Sequence, residues 1–138
     1  MSSPLDRPPE FLIDRSLGLG QSLAEAVRAE GYEVHTLRSF YLGEQWAQLV
    51  YDHEWVEAIG QRGWLALTKD DRVRREPLVR AAMVQFSAKV FCLANGNLSG
   101  AEGARRFLIN LDRIIKQGRV PGPYLYGVYP SGIGRLWP

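Results

Sequence analysis

The stretch Phe11-Leu12-Ile13-Asp14 sets three consecutive apolar residues directly before an acidic one. A short apolar run bounded by polar residues is typical of a buried strand. Further along the chain, Trp64 to Leu67 forms a second such run, and it leads into Thr68-Lys69-Asp70-Asp71. The sequence therefore predicts buried strands that are followed by carboxylates.

Amphipathic helices alternate with the predicted strands. Apolar residues recur at helical spacing, and glycine, proline and capping residues mark the helix ends. The predicted helices span 21–30, 52–62, a segment that starts at Pro77, and 99–118, and further strands are predicted at 32–37 and 89–93. Asp52 is the expected cap of the second helix, and Ser99 with Glu102 forms a capping box for the last one. This alternation predicts a three-layer α/β/α fold with a mostly parallel central sheet.

Two local features complete the predicted fold. In the third helix, we expect Leu78, Ala81, Ala82 and Phe86 to face the sheet. The tail at 124–137 is interrupted at Pro130-Ser131-Gly132, and it is predicted to form a terminal hairpin or an edge strand.

The length and composition indicate one globular domain. The chain has 138 residues, of which 46% are hydrophobic and 23% are charged, so a single core can close over residues 1–138. The Pro-rich segment 1–10 is expected to be a flexible leader. No apolar stretch approaches the roughly 20 residues that cross a bilayer, and the start lacks a signal-peptide pattern. We therefore expect a cytoplasmic protein without a membrane partner.

The single cysteine and the two histidines do not indicate a redox or zinc site. Cys92 lies in the apolar run from Val90 to Leu93, where it is expected to be an inert core thiol. His35 and His53 are too few for a zinc site with one cysteine, and we expect each to be structural or solvent-facing.

Acidic and amide side chains are expected to meet at one edge of the sheet. In parallel α/β sheets, ligand sites form beyond the carboxyl ends of the strands. Asp14, Asp70 and Asp71 follow strands, as does Asn97, and the helix that begins near Asp52 returns to the same edge. The candidate catalytic residues are Asp14, Asp52, Glu54 and Asp70, with Asp71 as a further metal ligand and Asn97 as an additional polar site residue.

Clustered carboxylates repel one another unless a cation compensates. Oxygen-only ligands suit Mg²⁺ or Mn²⁺, which polarise a phosphoryl oxygen and orient water in phosphodiester hydrolysis. Basic residues that could hold the flanking phosphates lie close by, although the net charge is only +2. They are Arg15, Lys69, Arg72, Arg74 and Arg75.

The order and spacing of four motifs resemble PIN-like domains, particularly toxins of the VapC type. The motifs are Phe11 to Gly18, Asp52-His53-Glu54-Trp55, Leu67-Thr68-Lys69-Asp70, and Asn95-Gly96-Asn97-Leu98. The resemblance covers residues 11–129. It implies a cytoplasmic, Mg²⁺-dependent endoribonuclease with a partner antitoxin, and often a homodimer.

Carried over residue by residue, Asp14 and Asp70 match the first and third acidic positions of that family, and Asp52 or Glu54 matches the second. Related sequences often read Asp-x-Asp after the third strand, whereas Asp70-Asp71-Arg72 places the two acids side by side. Adjacent acids point in different directions, so water or Asn97 is an alternative to Asp71 for the fourth position.

Three alternatives to a nuclease are a phosphatase, a receiver domain and a binding scaffold. An aspartyl-phosphate phosphatase would carry a second Asp two residues after Asp14, where Ser16 stands. A receiver domain would carry an acidic pair before its phosphorylated Asp and a late Lys. The strongest alternative is a PIN-like scaffold that binds RNA or a protein partner with little or no catalysis. Neither a dinucleotide fingerprint nor a Walker A loop is present in the sequence.

Overall fold

The structure is a computed structural model that describes residues 8–14, 20–41, 50–69, 73, 75–94 and 98–138. Six of the predicted site residues lie outside the described residues, together with Asn95. These six are Arg15, Asp70, Asp71, Arg72, Arg74 and Asn97.

The described part of the chain contains a six-stranded sheet. Its strands are β1 (Glu10–Ile13), β2 (Glu33–Thr36), β3 (Leu65–Thr68), β4 (Lys89–Leu93), β5 (Tyr124–Tyr129) and β6 (Gly132–Trp137). The order across the sheet is β2-β1-β3-β4-β5-β6. The first five strands are parallel, and β6 pairs antiparallel with β5 as a terminal hairpin. The predicted mostly parallel sheet and the predicted hairpin are confirmed, and β1 starts one residue inside the expected leader.

Six helices accompany the sheet in the described residues. They are α1 (Gly20–Ala29), α2 (Leu37–Phe40), α3 (Asp52–Arg62), α4 (Pro77–Phe86), α5 (Gly100–Ile109) and α6 (Leu111–Gly118). None of these helices is both long enough and apolar enough to cross a bilayer.

Two apolar clusters, one on each face of the sheet, give the fold its three layers. On one face, α1, α5 and α6 pack on alternate strand residues such as Phe11 and Phe91. On the other face, α2, α3 and α4 pack on the residues between them, such as Leu12 and Ala66. This burial on both faces explains why β1, β3 and β4 are mostly continuous apolar runs. Cys92 is buried in the second cluster, as expected for a core thiol.

The start of α3 differs by one residue from the prediction. Tyr51 is the N-cap, with extended backbone dihedrals, and Asp52 is the first helical residue. The prediction that Asp52 caps this helix was therefore wrong. The predicted end of this helix at residue 62 is confirmed, since Gly63 follows with φ 71°, the left-handed conformation that glycine tolerates without strain.

The buried face of α4 also differs from the prediction. Val79, Ala82 and Met83 are buried, whereas Leu78 is 65% exposed. Ala81 is exposed as well, and Phe86 is only partly buried. Apolar residues occur on both sides of this short helix. Their spacing alone therefore does not decide which side faces the sheet.

The predicted helix at 99–118 is divided into α5 and α6 at Asn110. The Asn110 side chain is buried and donates hydrogen bonds to the carbonyl oxygens of Arg106, at 3.0 Å, and Tyr129, at 2.8 Å. An Asn side chain that bonds to the backbone competes with helical geometry. The bond to Tyr129 ties this helix break to the end of β5. At the start of α5, the Ser99 hydroxyl accepts a hydrogen bond from the Glu102 N–H, as predicted.

Candidate active site

Asp14 follows β1 at the edge where the parallel strands end, which we name the carboxyl edge. Its N–H donates a hydrogen bond to the carbonyl oxygen of Leu67 at 3.0 Å, so the backbone pairing of β1 with β3 extends one residue beyond Ile13. The Asp14 residue is only 2% exposed. The carboxylate is therefore held at a fixed position in the interior by the strand itself.

Thr68, the last residue of β3, contacts this carboxylate directly. Its hydroxyl donates a hydrogen bond to Asp14 Oδ2 at 2.8 Å, and its side chain is fully buried. A hydroxyl donor to an ionised acceptor is among the stronger protein hydrogen bonds. Sequence analysis missed Thr68 as a site residue, although a hydroxyl that ends an otherwise apolar strand was a usable signal.

The first turn of α3 carries the acids Asp52 and Glu54. Helix α3 ends at Arg62, and Gly63 and Trp64 lead directly into the start of β3. Eleven helical residues span roughly 16 Å and four strand residues roughly 13 Å, so α3 begins near the level at which β3 ends. Trp55 supports this placement, because it packs in the same cluster as Leu12 and Ala66.

Both acids of α3 already take part in hydrogen bonds. Asp52 Oδ1 accepts a hydrogen bond from the indole N–H of Trp55 at 3.0 Å. Glu54 Oε1 accepts one from the backbone N–H of Tyr51 at 3.1 Å, which is half of a capping box. Trp55 is fully buried against the sheet. Asp52, three residues earlier, lies on that same face of α3, whereas Glu54 is exposed.

Helix N-termini gather at the carboxyl edge. Helices α3 and α4 end directly before β3 and β4, and α5 begins soon after β4 ends. The N-terminus of a helix carries partial positive charge and backbone N–H donors, which favour anions. This edge is therefore suited to hold phosphate groups near the Asp14 carboxylate.

Two of the predicted basic residues lie in the described part of the chain. Lys69 is partly buried and comes directly after β3, next to Thr68. Arg75 is exposed and precedes α4. Both follow β3 and precede α4, which begins near the carboxyl edge.

A second group of titratable side chains lies at the opposite edge, where the parallel strands begin, which we name the amino edge. Glu10, Glu33 and His35 bring their ligand atoms within 4.8 Å of one another. Glu10 and Glu33 are paired first residues of β1 and β2, while Asp14 follows the other end of β1. This cluster, which sequence analysis did not single out, is therefore separate from the predicted site.

His35 belongs to this amino-edge cluster and has a packed environment. Its Nε2 lies 3.0 Å from Glu10 Oε1, and its ring stacks on Trp64 with centroids 3.8 Å apart and an interplanar angle of 6°. The structural role expected for His35 agrees with these contacts.

The carboxyl edge offers a donor set that fits a hard divalent cation. Among the described residues there, the candidate ligands Asp14, Asp52 and Glu54 all present carboxylate oxygens. Mg²⁺ and Mn²⁺ prefer such ligands and combine one or two carboxylates with water and substrate phosphate.

A family model described as a PIN-like domain matches residues 9–95. The chain therefore belongs to the PIN-like domain family, among its VapC-type members.

The match to a curated relative extends beyond this segment. The chain is 35% identical over 126 residues to a Mycobacterium tuberculosis protein named "Putative ribonuclease VapC45". The aligned region covers 91% of this chain and 90% of that protein. No solved structure matches the chain.

Proposed function

We propose that the protein is a metal-dependent endoribonuclease that acts as the toxin of a toxin–antitoxin pair. The observation that carries this proposal is the buried Asp14 carboxylate, which Thr68 and the backbone of β3 hold at the carboxyl edge of a PIN-like sheet. The relative named as a ribonuclease supports the reaction class.

The metal would be held by Asp14 together with an acid of α3, with Asp70 as the third predicted ligand. When bound, Mg²⁺ or Mn²⁺ polarises a phosphoryl oxygen and lowers the pKa of water for attack on phosphorus. For the fourth position Asp71 remains the predicted contributor, with Asn97 or water as the alternatives. We propose one protein domain over residues 1–138 for this chemistry.

Asp52 is our choice for the second acid, and Glu54 is the alternative. Asp52 lies on the sheet-facing side of α3, where the Trp55 indole fixes its orientation. Glu54 is exposed, and one of its oxygens turns back to the Tyr51 N–H. A carboxylate that faces the sheet is the better placed of the two to share a cation with Asp14.

The protein's own cations would position the RNA. Lys69 follows β3 directly and Arg75 precedes α4, and the predicted contacts of Arg15, Arg72 and Arg74 belong to the same proposal. Phosphate contacts of this kind bind RNA of any sequence and weaken as salt concentration rises. A cytoplasmic location, a cognate antitoxin and a homodimer are the further parts of this proposal, and VapC-type membership supports them.

The test is an assay of the purified protein on mixed single-stranded RNA with Mg²⁺, with Mn²⁺ and with excess EDTA. We expect cleavage with either cation and none with EDTA, with restoration when cation is added back. Binding of RNA without cleavage under all three conditions would contradict the nuclease proposal and favour the RNA-binding scaffold instead.

A further inference from the structure

An exposed aromatic pair stands beside the candidate acids of α3. Tyr51 is 69% exposed, the highest value among the large apolar or aromatic side chains of the described residues. Its ring lies nearly parallel to that of His53, with an interplanar angle of 9° and centroids 5.7 Å apart. The two residues flank Asp52 in the sequence, so the pair adjoins the proposed metal ligand.

Hydrogen bonds hold the backbone of Tyr51 in place, although its ring is exposed. The Tyr51 N–H donates to Glu54 Oε1 at 3.1 Å, and its carbonyl oxygen accepts from the N–H of Glu54 at 3.0 Å. His53 is partly buried and belongs to α3. The ring of Tyr51 is therefore presented to solvent from a fixed anchor at the carboxyl edge.

We infer that Tyr51, supported by His53, is a stacking platform for a nucleobase of single-stranded RNA next to the cleaved bond. This inference rests on the proposed function and adds a positioning residue to it. Single-stranded nucleic acids are bound by combining cationic contacts to phosphates with aromatic rings on which bases stack. Helix N-termini offer partial positive charge and N–H donors to phosphates at this edge, and the exposed Tyr51 ring offers a face for a base.

The same chain contains a second stacked pair that serves as a contrast. His35 and Trp64 stack more tightly, with centroids 3.8 Å apart, but both residues are partly buried and lie at the amino edge. Arg62 lies over the Trp64 ring at 5.5 Å. This pair stabilises the fold through its own contacts and has little exposed ring area for a base.

The test measures RNA binding in EDTA, where cleavage is suppressed, with two matched probes. One probe is a mixed-sequence 12-nucleotide RNA, and the other has the same backbone with abasic positions. The wild-type protein should bind the RNA with bases more tightly. Tyr51→Ala should weaken that binding by about fivefold to a hundredfold, the range for losing one stacked base, and should leave binding of the abasic probe unchanged.

Three variants separate stacking from general apolar contact and from folding. Tyr51→Trp and Tyr51→Phe should retain the preference for bases, because each keeps an aromatic face. Leu78→Ala removes a similarly exposed apolar side chain, 65% exposed, at the start of α4. This variant should bind both probes as tightly as wild type does. The slope of affinity against salt concentration should stay at the wild-type value in Tyr51→Ala, since no phosphate contact is lost.

In the cleavage assay, Tyr51→Ala should raise KM with little change in kcat, the pattern of lost substrate binding. If wild-type protein cleaves RNA but Tyr51→Ala keeps its base preference and KM, the stacking inference is wrong and the nuclease proposal stands. If wild-type protein neither cleaves nor binds RNA, the proposed function itself fails. A thermal unfolding curve of Tyr51→Ala that matches wild type excludes misfolding as the cause.

Discussion

The carboxyl and amino edges of the sheet each gather charged side chains, but the two edges have opposite electrostatic settings. At the carboxyl edge, the N-termini of α3, α4 and α5 lie at the same end of the strands as the buried Asp14. At the amino edge, helices end, and cations bind the carbonyl groups of those ends. Arg62 donates to the Ala58 carbonyl oxygen at 3.0 Å, and Lys89 donates to that of Gly118 at 2.7 Å.

If only the closeness of possible ligand atoms is considered, the amino edge resembles a binding site. It holds the Glu10, Glu33 and His35 cluster, and a cavity of about 130 Å³ lined in part by Arg62, Lys89 and Arg119. Helix C-termini carry partial negative charge, so these cations complement the helix ends, and Arg62 and Lys89 already bind carbonyl groups there. Burial of Lys89 lowers its pKa, which reflects loss of water around the ammonium group. These contacts indicate structural roles.

Helix direction therefore distinguishes the edge that we propose for RNA from the edge whose acids have packing contacts. A hydrolase that acts on RNA must accept the negative charge of its substrate. The carboxyl edge provides for this with helix N-termini, and the amino edge does not. Four predictions test the contrast, in order of decreasing effect.

The largest effect is expected for Asp14→Asn at the carboxyl edge. The amide keeps the shape and can still accept the hydrogen bond from Thr68, but it removes the charge that would hold the cation. Metal-dependent cleavage should fall by at least about a hundredfold, comparable to removing one electrostatic stabiliser of a transition state. Initial rates on mixed RNA, together with a circular dichroism spectrum like that of wild type, check this. Cleavage at the wild-type rate would remove Asp14 from the site.

The second effect separates the two acids of α3. Asp52→Asn should lower cleavage by about tenfold or more, because its carboxylate lies on the sheet-facing side of α3. Glu54→Gln, in which the exposed carboxylate loses its charge, should cost less. Rates measured across a Mn²⁺ titration give both values, and a larger defect in Glu54→Gln would assign the second position to Glu54.

The third effect concerns Thr68, which contacts the Asp14 carboxylate but is not a proposed ligand. Thr68→Val removes the hydroxyl donor, and cleavage should fall by about tenfold, the lower end of the usual cost of losing an outer hydrogen-bond partner of a metal ligand. Thr68→Ser keeps the hydroxyl and should restore most of the activity. Equal activity in the two variants would show that the hydroxyl is not needed to orient Asp14.

Sequence patterns predicted the layers, the parallel strands and the edge at which Asp14 stands, because each depends on local apolar spacing and on the alternation of strands with helices. The contact between Asp14 and Thr68 joins residues 54 positions apart, so spacing could not reveal it. The helix break at Asn110 could not be predicted either, because Asn110 bonds to the carbonyl oxygen of Tyr129, which is distant in the sequence. The rotation of α4 was misjudged because apolar residues such as Leu78 also occupy its exposed face.

The smallest effect is expected at the amino edge, for Glu10→Gln and His35→Gln. Their side chains are 42% and 26% exposed and lie 3.0 Å apart, and such a partly exposed pair contributes about 1 kcal/mol or less to stability. Because this cluster lies at the far end of β1 from Asp14, cleavage of RNA should stay within about twofold of wild type at saturating Mg²⁺. The Mg²⁺ concentration that gives half of the maximal rate should also be the same in both variants as in wild type. A rate that falls in these variants while their unfolding curves match wild type would place a functional cation at the amino edge, and the contrast between the two edges would then be wrong.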